Sequence, residues 1–545
     1  MTEINVINID SPFLDQKPGT SGLRKSTLKF QEQHYLEIFI EAILQSLEHL
    51  QSSTLVVGGD GRYGNIEAIE KIVQICIAHR VQKVIVPKFG LLSTPATSNL
   101  IRKENAIGGI ILSASHNPGG IDGDFGVKLN ISNGGPAPEM ITNKIFESSQ
   151  LLTNYKICRI QLPDFSEYGS YIYGETTLEV IDGVEDYSNL MEQIFDFDQI
   201  SDFLKKDFSL IFDAMNAVTG PYAKNIFIEK MGLANDCVMN GNPLKDFGGL
   251  HPDPNLTYAS HLADLLLNKK SYSFGAACDG DGDRNMILGS GCFVNPSDSL
   301  AVITANTKYV PGYKGGITGV ARSMPTSSAV DNVARALNIP CFETPTGWKF
   351  FGNLLDSNLI TLCGEESFGT GSNHVREKDG LWAVLYWLQV LAEKKCSVGD
   401  LMQSHWAEFG RNYYSRHDYE AIPSNIANQI FDNLTSMLEN LKGSNFAGHL
   451  VQVADNFSYL DPIDDSISEN QGLRLILDDN SRVVVRLSGT GTKGATLRLY
   501  FEKFFNPKQN LSLNPQVALK PLIDDLDHLL NISKLTQMET PTVIT

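Results

Sequence analysis

No two cysteines stand at CxxC spacing, no apolar run is long enough to span a bilayer, and basic residues are in deficit. Each absence excludes something. The eight cysteines lie mostly in apolar context, as Cys76 does in IVQICIA and Cys363 in LITLCGEE. In so long a chain they read as reduced, packed thiols rather than a disulfide framework, with redox regulation of an exposed one left open. The most apolar stretch, LWAVLYWLQVLA (381–392), is too short for a membrane span and reads as a buried helix. The opening MTEINVIN lacks the basic and apolar regions of a signal peptide, so a soluble protein is expected, by default cytoplasmic or in an organelle stroma. With 44 Lys and Arg against 63 Asp and Glu, the net charge of −19 argues against nucleic-acid and anionic-membrane partners. An acidic chain that handles a phosphorylated ligand must gather its cations locally. Arg and Lys inside Gly-rich loops are therefore informative.

At 545 residues the chain is too long for one core, and three or four domains are expected. One local pattern recurs, a short apolar run followed by a Gly-rich polar turn. It appears as LVVGGDGR (55–62), IGGIILSASHNPGG (107–120), FGAACDGDGDR (274–284), LITLCGEESFGTG (359–371) and RVVVRLSGTGTKG (482–494). Such runs read as buried strands, and between them YLEIFIEAILQSLEHL (35–50) and IEAIEKIVQICIAHR (66–80) have helical spacing. Alternation of this kind means α/β layers with parallel or mixed sheets, whose ligands bind in loops at the carboxyl ends of strands. From about residue 410, short strands mixed with helices suggest an α+β domain. Boundaries near 188, 291 and 405 give domains 1–188, 189–291, 292–405 and 406–545. The polar stretch 162–179 reads as a surface excursion or hairpin.

Four loops carry the candidate chemistry. In SASHNPGG, Ser115 follows an apolar strand on a turn with free backbone N–H groups, the placement of an exposed nucleophile or phosphate carrier. A plain Ser- and Asn-rich turn would look the same. Lys128, in GDFGVKLN, is near enough in sequence to approach the same centre. In CDGDGDR, an extended backbone would project Asp279, Asp281 and Asp283 to one side, and alternation with Gly lets the backbone curl around an ion; a solvated acidic turn is the plain alternative. Carboxylates so crowded repel by roughly 4 kcal/mol per pair at about 4 Å and an effective dielectric near 20, which a hard cation relieves. An EF-hand is excluded, because Arg284 and Ser290 fall where Gly and Glu are required. Three Asp ligands leave positions open for phosphate and water, as Mg²⁺ prefers, and Arg284 would stand beside the phosphate. In GEESFGTGS, Glu365 and Ser367 suit neighbouring sugar hydroxyls, with capping of the following chain an equal competitor; Arg376 and Lys378 follow in REKDG, Lys378 as a proton shuttle or a plain surface lysine. Finally, SGTGTKG matches G-x-G-x-x-G, but ATLRLYFE after it alternates like a strand, so a hairpin is expected and no dinucleotide. Ser488, Thr490 and Thr492 with Arg486 and Arg498 would make a phosphate cradle.

Together these loops resemble the α-D-phosphohexomutase superfamily, in its glucose branch. The likeness runs through KPGTSGLRK (17–25), SASHNPGGIDGDFGVKLNISNGGPAP (113–138), GGLHPDPNLTYA (248–259), CDGDGDR, TPTGWKFF (344–351), GEESFGTGS, REKDGLWAV (376–384) and RLSGTGTKGATLRLY (486–500). The resemblance implies three related α/β domains with mixed sheets and a C-terminal α+β domain like a TATA-binding protein, around a central cleft. It also implies interconversion of α-D-glucose 1-phosphate and D-glucose 6-phosphate through a phosphoserine and glucose 1,6-bisphosphate. Ser115 would carry the phosphoryl group, with Mg²⁺ on Asp279, Asp281, Asp283 and a phosphoserine oxygen. Thr20 and Arg24 would support the site, Thr346 and Gly347 would join Glu365 and Ser367 in sugar recognition, and Ser488, Thr490 and Arg498 would grip the distal phosphate. Lys128 and Lys378 are the expected general base and acid, with His116 assisting. A hexose phosphate is the only partner implied, and the chain is expected to be a monomer. A mannose-specific mutase or a bisphosphate synthase would use the same scaffold, as would a silent cytoskeleton-binding relative; GEESFG favours glucose, and retention of Ser115 with three aspartates favours an enzyme.

Overall fold

The structure, a computed structural model, describes residues 3–19, 21–206, 208–491 and 494–545, with backbone alone at 489–491. Its contacts divide the chain into two compact units. One comprises 1–292, 307–316 and 368–397; the other comprises 293–306, 317–367 and 398–545.

Besides the antiparallel pair Asn5–Asn8 and Asn154–Ile157, the described residues of the first unit form two larger sheets. In the larger, the parallel strands Thr176–Ile181, Lys83–Pro87, Thr54–Gly59 and Gly108–Leu112 lie side by side, and Asp124–Ile131 and Leu23–Ser26 continue antiparallel beyond the last. Helix Asn65–Ala78 packs on this sheet through Ile69, Ile72, Val73 and Cys76, an i, i+3, i+4, i+7 stripe that is wholly buried. Residues 162–179 do form a hairpin in part, as Gly169–Tyr173 pairs antiparallel with Thr176–Ile181 at the sheet edge. The second sheet sets Leu210–Asp213 and Phe274–Cys278 in parallel, with Asn285–Gly289 antiparallel. Helix Gly380–Lys394 covers the latter two strands, and its residues from Gly380 to Ala392 are buried. That burial is why LWAVLYWLQVLA is apolar on every side. Among the described residues, no helix is long and apolar enough to cross a membrane.

In the second unit, Val320–Ser323 lies between Cys341–Thr344 and Leu362–Glu365, all parallel. The C-terminal sheet is antiparallel throughout, ordered His449–Asn456, Leu473–Leu477, Arg482–Gly491, Gly494–Phe505, Arg411–Ile422. Its strands are longer than the expected short ones, reaching twelve residues in Arg411–Ile422 and Gly494–Phe505. One face, including Val483, Val485, Leu497, Leu499 and Phe501, packs on helices Ser424–Leu441 and Pro515–Leu530. The strand pairing continues to Gly491↔Gly494, so Gly489 and Gly491 end one strand and Gly494 begins the next, which is a strand and not a helix. All eight cysteines are free; five are buried, and Cys292, Cys341 and Cys396 are partly exposed.

Candidate active site

Ser115 stands just past the buried strand Gly108–Leu112. Its φ of 53° lies in the left-handed region, a conformation that costs a non-glycine residue on the order of 1 kcal/mol or more. Three contacts hold it there. Its N–H donates to Ser113 Oγ at 2.7 Å, its carbonyl accepts from Arg62 Nη2 at 2.9 Å, and its Oγ donates to Asp279 Oδ2 at 2.9 Å. These contacts leave Ser115 only 2% exposed, buried where the sequence suggested an exposed nucleophile. His116 Nδ1 lies 3.4 Å from the same Oγ.

Arg62, in the LVVGGDGR loop, is a residue that sequence reasoning missed. It is fully buried, and its Nε donates to Asp60 Oδ1 and Oδ2 at 3.0 and 2.9 Å while Nη1 reaches the carbonyl of Asp124. The available signal was an arginine in a Gly-rich loop after an apolar run, the class that the acidic composition makes informative.

The three aspartates converge through the curl that alternating glycines allow, not along an extended chain. The segment turns, and Asp279 Oδ1 accepts from the N–H groups of Asp283 and Arg284, each at 3.0 Å. Gly282, at φ 77°, permits the turn. Carboxylate oxygens of Asp279, Asp281 and Asp283 come within 4.8 Å of one another, and all three residues are buried. Asp281 Oδ2 meets Lys128 Nζ at 2.5 Å and Thr94 Oγ1 at 2.8 Å, while Lys378 Nζ lies 3.3 Å from Asp283 Oδ2. Thr94 begins helix Thr94–Lys103, capped by Ser93, and its N–H donates to the Asp281 carbonyl. Burial and repulsion by Asp283 and Asp281 push the Asp279 carboxyl well up. Burial would raise Asp281 also, but Lys128, Thr94 and Arg24 hold it well below the usual carboxylate range. Asp281 Oδ1 and Asp283 Oδ1 are buried without a hydrogen-bond partner. Hard oxygen donors left unpaired in a buried cluster fit a hard divalent cation.

Two further cations, Arg24 and Arg284, act on the triad. Arg24, on strand Leu23–Ser26, interacts electrostatically with Asp281 and Asp283 and has a buried, unpartnered Nε. Arg284 Nη1 lies 3.4 Å from Asp253. Arg376 donates its N–H to Ser98 Oγ and turns Nη1 back to the carbonyls of Asn373 and Val375. Glu377, also missed from sequence, accepts from Asn130 Nδ2 at 2.9 Å, and burial pushes its carboxyl up to about 7. Nothing local marks Glu377 or Thr94, whose surroundings are made by distant parts of the chain.

In the second unit, Glu365 Oε1 accepts from the N–H of Gly347 at 2.9 Å, so TPTG and GEES meet. Thr346 Oγ1 is buried without a partner, and Ser367 follows in the turn. Across the C-terminal sheet Arg486 pairs with Arg498, Ser488 with Thr496, and Arg498 with Asp418. Arg416 Nη2 contacts Asp418 at 2.9 Å, whereas Arg498 Nε lies 3.8 Å from it with no hydrogen bond. Like charges directly opposite on neighbouring strands are destabilising by themselves, and an anion between them removes the penalty. Thr20, Thr492 and the side chain of Thr490 lie outside the described residues.

The chain matches family models along its length. Phosphoglucomutase/phosphomannomutase alpha/beta/alpha domains I, II and III match residues 15–156, 185–290 and 296–409, and the C-terminal domain of phosphoglucomutase-1 matches 411–542. It is 53% identical to the phosphoglucomutase of Rhizobium radiobacter over 98% of this chain and 99% of the relative. Identity to phosphoglucomutase-1 of Oryctolagus cuniculus is 50%, over 97% and 98%. Among solved structures, parafusin, a phosphoglucomutase and exocytosis-sensitive phosphoprotein from Paramecium, superposes in its open form with a TM-score of 0.92 at 46% identity, covering 99% of both chains. The loops that hold Ser115 beside three converging aspartates thus stand in a chain that belongs to the phosphoglucomutase family, isomerases of the phosphohexomutase superfamily that interconvert glucose 1-phosphate and glucose 6-phosphate.

Proposed function

We propose that Ser115 is the phosphoryl carrier of a reversible exchange between α-D-glucose 1-phosphate and D-glucose 6-phosphate. The observation that carries this reading is the contact of Ser115 Oγ with Asp279, inside a buried cluster of three carboxylates. Phosphorylated Ser115 gives its group to the free O1 or O6 hydroxyl of the hexose phosphate, so the Ser Oγ–P bond breaks as the sugar O–P bond forms. The product is glucose 1,6-bisphosphate. After the sugar reverses, its other phosphate returns to Ser115. Asp279, Asp281 and Asp283 would hold Mg²⁺, which when bound neutralises charge on the transferring group. Lys128 and Lys378, each beside one of those aspartates, are proposed to take up and return the hydroxyl proton, with His116 assisting. Arg24, Arg284 and Arg376, with Thr20, orient the reacting end. Thr346, Gly347, Glu365 and Ser367 read the sugar, and Arg486, Ser488, Thr490 and Arg498 bind the distal phosphate.

The test is a mutase assay primed with catalytic glucose 1,6-bisphosphate, run on the protein and on Ser115→Ala. Turnover is expected only with serine, while the variant keeps the same circular dichroism. Near-normal turnover by the variant would sink the carrier assignment. Comparison with mannose 1-phosphate measures sugar preference, expected to favour glucose. The domain boundaries near 188, 291 and 405, the monomeric state and a cytoplasmic location belong to the same proposal. Limited proteolysis, size-exclusion chromatography and cell fractionation test them in turn.

A further inference from the structure

Lys378 is carried by a loop that closes on itself. At one end Ser372 finishes the strand Gly369–Ser372; at the other Asp379 caps helix Gly380–Lys394, accepting from Trp382 N. Between them His374 Nδ1 lies 2.6 Å from Ser372 Oγ and Nε2 lies 3.0 Å from Asp379 Oδ2. The His374 side chain is 5% exposed and stacks on Trp382 with ring centroids 5.3 Å apart.

The contacts extend in both directions. Trp382 Nε1 donates to Tyr313 OH at 2.9 Å, and Tyr313 OH lies 2.5 Å from Ser372 Oγ. Beyond His374, Asp379 Oδ1 accepts from Tyr187 OH at 2.6 Å. An indole N–H can only donate, so the hydroxyls of Tyr313 and Ser372 can each pass a hydrogen bond onward until Nδ1 accepts. The proton of a neutral His374 then stands on Nε2, directed at Asp379. A Ser–His–Asp series of this kind suggests a nucleophile, but Ser372 is wholly buried and its hydroxyl is already engaged. The relay leads instead to the backbone of the loop. Beside Asp379, Gly380 N donates to the carbonyl of Gly282 at 3.0 Å, and a Cβ at Gly380 would meet the Arg284 carbonyl at 2.3 Å. The loop is therefore seated against the turn bearing the aspartates, with Lys378 one residue before the relay's carboxylate.

We infer that His374 is a positioning residue, which by joining Ser372 to Asp379 fixes the reach of Lys378 to the aspartate cluster. This rests on the proton-transfer role proposed for Lys378. A catalytic group displaced by about 1 Å loses on the order of a hundredfold in rate. His374→Phe keeps an aromatic ring over Trp382 and removes both hydrogen bonds. Its kcat is expected to fall about ten- to hundredfold, with KM for glucose 1-phosphate within about twofold. His374→Gln, whose amide can still donate to Asp379, should recover part of the loss. In the His374→Phe/Lys378→Ala double variant, turnover should equal that of Lys378→Ala, because the first change acts only through the second residue. Losses that multiply would overturn the proposal. So would unchanged kcat in His374→Phe beside an impaired Lys378→Ala. Undiminished turnover in Lys378→Ala itself overturns the role of that lysine and the inference with it. If the Phe variant does not fold, Tyr187→Phe, which removes one hydroxyl from Asp379, takes its place beside Lys378→Ala: equal turnover in the double variant supports the proposal, and multiplied losses or an unchanged kcat overturn it.

Discussion

Asp281 is tied on one side and free on the other: Oδ2 meets Lys128 and Thr94, while Oδ1 is buried without a partner. Asp281→Asn keeps the size but removes the charge that meets Lys128 and that, in the proposed reading, would bind a cation. Activity titrated against Mg²⁺ should show a midpoint shifted to higher concentration, or none at all. Exposed Asp198 serves as the control acid, whereas Asp298 is buried and would confound the comparison. An unchanged curve for Asp281→Asn would remove the metal role from this loop. Arg62 invites a different experiment. Arg62→Ala leaves the Asp60 carboxylate buried without its guanidinium, a loss of about 3–5 kcal/mol. It also releases the Ser115 carbonyl. Adding Asp60→Asn should restore part of the melting temperature and none of the turnover, since only the charge penalty is relieved. Full recovery of both would mean that Arg62 has no bearing on Ser115.

Elements deliver these side chains by their ends, and helix ends also create unusual acids. Asp298 lies in the first turn of helix Pro296–Ala305, accepts from Trp406 Nε1 at 3.3 Å, and is pushed by burial from 3.8 to about 6. An acid with a raised folded pKa keeps its proton after the unfolded chain has lost it. Its contribution to stability is therefore complete below pH 3.8 and declines as pH rises to about 6, then stays constant. Two pKa units correspond to about 3 kcal/mol as an order of magnitude. Asp298→Asn, which cannot ionise but can still accept from Trp406, should gain melting temperature relative to the parent between pH 4 and pH 7. Parallel curves for the two proteins would refute this. At the same scale, apolar runs with Gly-rich turns were legible as buried strands because period and turn chemistry are local. Glycine alternation made a curl of residues 279–284 legible too, but not the hydrogen bonds to the Asp279 carboxylate that fix it.

Over the whole molecule, a chain of net charge −19 assembles cations in two places. Lys128, Lys378, Arg24 and Arg284 attend the aspartates in the first unit, and Arg416, Arg486 and Arg498 stand on neighbouring strands in the second. A mutase whose substrate reverses needs two phosphate sites, one for each end. If Arg498 binds the distal phosphate as proposed, Arg498→Ala should weaken use of glucose 1-phosphate and glucose 6-phosphate alike, because each would present its phosphate there in turn. A charge-assisted contact of roughly 1.5–3 kcal/mol corresponds to about a ten- to hundredfold fall in kcat/KM. Loss with one substrate alone would contradict reversal over a fixed cradle, and no loss would remove Arg498 from it.

Sequence alone determined the α/β character, the strand after SGTGTKG, and the loops holding Ser115, the three aspartates and the paired arginines, because apolar period, glycine placement and charge are properties of neighbours. Tertiary structure decided what those loops touch. Thr94 reaches Asp281 across 187 positions, Glu377 loses water to surroundings built from several segments, and Arg62 meets the Ser115 carbonyl 53 residues away. Burial and hydrogen-bond partners of this kind arise from packing between elements distant along the chain. No local pattern of residues encodes them.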